Sequence, residues 1–100
     1  MAKIAFLCVD ESMATWIINE SKSFTFTAQI GNDKSADAYI AMAMHDEDID
    51  KYLPIVQDQM FAWFGVSNDV VKALKPFEFA TWDEISDGDA VLQCAERMSQ

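Results

Sequence analysis

The chain has 100 residues, 51% of them hydrophobic, and a formal net charge of −10 from 17 Asp and Glu against 7 Lys and Arg. That length holds one domain, residues 1–100, with a single modest core. Seven Phe, three Trp and six Met exclude a disordered acidic tail.

Residues 3–9, Lys-Ile-Ala-Phe-Leu-Cys-Val, are apolar on both alternating sets, as in a strand covered on both faces. Asp10, Glu11 and Ser12 then read as a turn. Residues 13–19 read as a second strand, because Thr15, Trp16, Ile17 and Ile18 favour extended backbone. A polar hairpin tip over 20–23 follows. In the next segment Phe24, Phe26, Ala28 and Ile30 alternate with Thr25, Thr27 and Gln29, a third strand that Gly31-Asn32-Asp33 closes. Residues 36–45 suit a strand and a helix alike. A strand is the reading here, because the preceding meander needs a partner.

Ile49, Leu53, Val56, Met60 and Phe64 recur at intervals of three and four, which predicts a long helix stopped by Gly65. Pro54 inside it calls for a kink or a fresh start. A short helix over 68–74 is capped by Ser67 or Asn68, and Lys75-Pro76 ends it. Residues 77–82 alternate as a last strand. Thr81 with Glu84 makes a capping box for a final helix, which restarts near Asp87-Gly88 and presents Val91, Leu92, Ala95 and Met98. The expected fold is α+β: an antiparallel sheet of four to five strands with two to three helices packed on one face.

Catalytic and metal signatures are weak. Asp46-Glu47-Asp48-Ile49-Asp50 imitates the opening of a calcium loop, but Lys51 stands where the loop needs Gly and Gln57 where it needs Glu. His45 beside Asp46 has no nucleophile in an elbow motif. Gly31, Gly65 and Gly88 are too scattered for a phosphate loop. Cys8 and Cys94 form no Cys-x-x-Cys pair and read as free thiols of a reducing compartment. No enzyme activity, cofactor or metal is expected. Seven dispersed basic residues argue against direct nucleic-acid binding. The apolar run at residues 4–9 is too short for a signal-peptide core or a membrane span, which points to the cytoplasm.

Binding is what remains. Asp46, Glu47, Asp48 and Asp50 form one acidic cluster, and Asp83, Glu84, Asp87 and Asp89 form another. Such a field speeds encounter with a basic partner and sets its register. In size, acidity and want of a catalytic motif the chain resembles the small inhibitors of phages and mobile elements, antirestriction and anti-CRISPR proteins that mimic DNA among them. That resemblance implies a partner whose basic surface handles nucleic acid, blocked by these eight acids. An immunity protein or antitoxin for a basic nuclease is the alternative, with Trp82 or Trp63 as an apolar anchor at the interface. A homodimeric accessory subunit is another, pairing through Met60, Phe61, Trp63 and Phe64.

Overall fold

The computed structural model describes residues 1–85 and 87–100. Its elements in chain order are β1 (Lys3–Leu7), α1 (Glu11–Ser21), β2 (Thr27–Ile30), β3 (Ala38–Ala43), α2 (Asp46–Val56), β4 (Phe61–Gly65), α3 (Asp69–Ala73) and β5 (Phe79–Ala80). A 3-10 turn over Trp82–Glu84 leads to α4 (Ala90–Met98). The strands form one five-stranded sheet in the order β2-β1-β3-β4-β5.

Helices and strands are both present, but the expected antiparallel arrangement is overturned. Every strand pair is parallel, with Ile4 opposite Ala28 and Ala38, Tyr39 opposite Phe61, and Trp63 opposite Phe79. Helices also cover both faces of the sheet rather than one. On one face Ile4, Phe6, Ile40, Met42 and Phe64 pack with Ile17 of α1 and with Val91, Leu92, Cys94, Ala95 and Met98 of α4. On the other, Ala5, Leu7, Tyr39, Ala41, Phe61 and Trp63 pack with Ile49, Tyr52 and Val56 of α2 and Val71 of α3.

The two-sided cover explains the composition of the strands. All six residues of β3 and all five of β4 are buried, so neither alternating set can be polar. Each large side chain fully removed from water, such as Trp63, Phe64 or Phe6, contributes about 1.5–3 kcal/mol.

Two element assignments change with the topology. Residues 13–19 lie in α1, where Met13, Trp16 and Ile17 at helical spacing turn toward the sheet. The helix starts because Asp10 caps it, its Oδ1 accepting from the amides of Ser12 (2.8 Å) and Met13 (3.2 Å). The long helix through Phe64 ends instead at Val56, runs without a break through Pro54, and gives way to β4. Pro54 has no amide hydrogen to give the Asp50 carbonyl, and the helix ends two residues beyond it. Phe61, Trp63 and Phe64 are therefore interior strand residues at 3% exposure or less, and only Met60 is exposed. Of the four residues offered as a dimer surface, three are thus inside the molecule and only Met60 is open to a partner.

Candidate functional site

In an all-parallel sheet every strand ends on the same edge, and every following helix begins there. That geometry collects the acidic residues. The β1–α1 turn brings Asp10 and Glu11, the start of α2 brings Asp46, Glu47, Asp48 and Asp50, and α3 brings Asp69. The segment between β5 and α4 adds Asp83, Glu84, Asp87 and Asp89. No Lys, Arg or His other than His45 stands in these turns. The basic residues fall at the opposite edge or along the helices. Lys3 at the start of β1 pairs with Asp33 at 3.4 Å, and Arg97 at the end of α4 pairs with Glu78.

The acids on this edge do not all do the same work. Asp48, only 4% exposed, accepts through Oδ2 from the amides of Met44 (2.9 Å) and His45 (3.0 Å). It is a cap turned into the protein and is not open to a partner. Glu84 accepts from the Thr81 amide at 2.9 Å, completing the capping box foreseen in the sequence. Asp87 Oδ1 accepts from the Asp89 amide at 2.9 Å. Asp46, Glu47, Asp50 and Asp83 are exposed, and no hydrogen bond within the described residues engages their side chains. Glu84 and Asp87 are also exposed, and Asp89 is half-buried.

A cavity of about 560 Å³ opens on the same edge. Met13 and Trp16 of α1, Met42 of β3, Val91 of α4, and Trp82 with Ile85 form its apolar wall, while Asp10, Ser12, Asp87 and Gly88 complete the lining. The strand order is the doubly wound order of flavodoxin-like sheets, in which ligands bind beyond the strand ends where the winding direction reverses. Here that reversal lies between β1 and β3, and the turn after β1 and the end of β3 both contribute to the cavity. Trp82 is half-buried, and its indole N–H is buried without an acceptor among the described residues. It is a cavity wall rather than an exposed anchor. Gly65, at φ 123°, makes room for it: a Cβ there would lie 3.0 Å from the Trp82 Nε1 and 1.9 Å from the Ala43 carbonyl oxygen.

Thiol chemistry has little support on this frame. Burial, and then the charge of Asp10, pushes the Cys8 thiol above its ordinary pKa. Burial pushes Cys94 up to about 12, with Glu78 adding to it. Both are free, and both are protonated at neutral pH, the weakly nucleophilic form. Among the described residues no three His, Cys, Asp or Glu side chains are grouped to hold a metal ion, and no helix is long and apolar enough to cross a membrane.

The acid clusters and Trp82 were named from the sequence, whereas the cavity was not. Its lining comes from α1, β3 and the turn before α4, and reading α1 as a strand hid that they converge. The spacing of Met13, Trp16 and Ile17 behind a capping Asp10 was the available signal. No known family, curated protein or solved structure matches the chain.

Proposed function

We propose that the protein is a small acidic inhibitor that acts inside the cell. It binds a basic, nucleic-acid-handling surface of another protein through the edge where its strands end, in the manner of the DNA mimics that disarm restriction or CRISPR systems. The observation that carries this reading is the gathering of both acidic clusters, with Asp10, Glu11 and Asp69, at one edge whose strand-to-helix turns carry no Lys or Arg. Exposed and unengaged carboxylates at Asp46, Glu47, Asp50 and Asp83 keep their charge for a partner, and a field of one sign steers association with the opposite sign. The immunity-protein alternative needs an exposed aromatic anchor, and the inward placement of Trp82 favours distributed charge over it.

Affinity capture from host lysate, washed at low and then high salt, tests the reading when the bait also carries edge-specific reversals. The variant with Asp46→Lys, Glu47→Lys and Asp83→Lys is expected to lose a basic, nucleic-acid-handling partner that the parent retains at low salt. Glu20→Lys in the last turn of α1, with Asp58→Lys just past the end of α2, is expected to keep it. Equal retention by both variants would defeat the assignment of the binding edge.

A further inference from the structure

We propose that the cavity between α1 and α4 is a binding site for a small organic cation with a flat apolar body, of the arylalkylamine class. This is a small-molecule site whose two carboxylates, Asp10 and Asp87, belong to the acidic edge assigned above to a protein partner. Its volume of about 560 Å³ falls in the range of small-ligand pockets, which are mostly apolar with a few placed polar groups. Trp16 and Trp82 present indole surfaces to it, suited to stacking with a flat ring and to attracting a cation over a ring face. Met13, Met42 and Val91 supply soft apolar contact that adapts to the shape of the ring.

Charge selects the sign of the ligand. Asp10 and Asp87 are the ionisable side chains in the lining, and no Lys, Arg or His joins them among the described residues. Each has Oδ1 committed to backbone amides, and Oδ2 of each is left without a hydrogen bond among the described residues. An ammonium group finds carboxylates of the opposite sign in this lining. A phosphate or carboxylate meets the same two groups as repulsion, and no glycine-rich turn supplies amides against it. Nucleotides and acidic metabolites are thereby selected against, although the sheet winding is one that elsewhere accommodates them.

The test uses two probes that share an indole ring and differ in the charge of the tail, tryptamine and indole-3-acetate. Titrated into the isotope-labelled full chain, tryptamine is expected to move the side-chain N–H resonances of Trp16 and Trp82 and to bind at least about tenfold more tightly than indole-3-acetate. Asp10→Asn with Asp87→Asn is expected to cut that preference to within about threefold, with the fold kept because Asn caps a helix as well as Asp. Val91→Phe, which fills the cavity, is expected to abolish the tryptophan shifts while the far-ultraviolet spectrum stays that of the parent. Three results would each overturn the site: equal binding of the two probes, shifts confined to residues away from the cavity, or no shift at millimolar tryptamine.

Discussion

Tyr52 shows how one side chain can be costly and still be kept. Its ring meets Trp63 edge-on, with centroids 6.4 Å apart and planes at 69°, and only 4% of the residue is exposed. The hydroxyl is buried with no partner in the described structure, a cost of roughly 1–3 kcal/mol for an unsatisfied polar group. Tyr52→Phe keeps the ring contact and removes the orphan, so it is expected to raise stability to urea by about 1 kcal/mol at neutral pH. Burial first, then Asp48 and Cys8, push the tyrosine pKa from 10 up to about 12. Below pH 10 the group is protonated in both folded and unfolded chains, so its raised pKa subtracts nothing. As pH rises from 10 toward 12 the unfolded chain alone ionises, and stability falls. Cys94 adds a similar loss from pH 9 upward, which Tyr52→Phe leaves in place. The variant's advantage is therefore expected to widen above pH 10 in urea titrations, and a constant gap would remove Tyr52 from the account. Gly65 carries the opposite lesson at this scale. The sequence reads it as a helix stop, whereas its positive φ and its approach to the Ala43 carbonyl belong to the end of a strand. Glycine was legible there, but the neighbour that requires it was not.

At the scale of elements, the local signals tied to helix ends are legible in the sequence, and those that rest on propensity mislead. The Asn68 cap of α3 and the apolar face of α4 appear as read, whereas the Thr81–Glu84 capping box forms but heads a 3-10 turn and α4 starts only at Ala90. β1, β3 and β5 also appear as read, within a few residues. At 13–19 Thr15, Ile17 and Ile18 favour a strand by propensity alone. The capped turn at Asp10 and the pull of Ile17 into the core override that preference, which amounts to a few tenths of a kcal/mol per residue. One misplaced element then changed the whole sheet, because a strand at 13–19 makes hairpins and a helix makes a parallel crossover. Phe61–Gly65 failed for a related reason, since a fully apolar run satisfies a helical period and a buried strand equally. If the cap decides α1, Asp10→Ala is expected to lower stability by about 1 kcal/mol and Asp10→Asn by only a few tenths. Thermal unfolding followed by circular dichroism measures both. Equal losses would show that charge, not the hydrogen bonds to Ser12 and Met13, is what α1 draws from Asp10.

Across the whole molecule the question is whether the acidic edge follows from helix ends or exists in spite of what it costs. The start of a helix carries roughly half a positive charge, and a carboxylate near it gains about 0.3–1 kcal/mol. At α2 the buried Asp48 already brings a carboxylate to this end, accepting from the Met44 and His45 amides, yet Asp46, Glu47 and Asp50 crowd it as well. Half a unit of dipole charge cannot offset three further carboxylates, and the acids of the β5–α4 segment share their edge. Repulsion should win wherever it is unscreened, within a Debye length of ~10 Å at 0.1 M salt. Neutralising the exposed, unengaged acids together, with Asp46→Asn, Glu47→Gln, Asp50→Asn and Asp83→Asn, is therefore expected to raise stability by about 1 kcal/mol at low salt. The parent is expected to gain stability with added salt more steeply than the variant, and the two curves to converge. Urea unfolding at a series of salt concentrations measures this directly. A gain in stability joined to a loss of partner capture would mean that the protein keeps an unfavourable edge because binding requires it. A loss of stability near 0.3–1 kcal/mol per residue would reduce the same acids to helix-end electrostatics, and the inhibitor reading would lose the feature that sustains it.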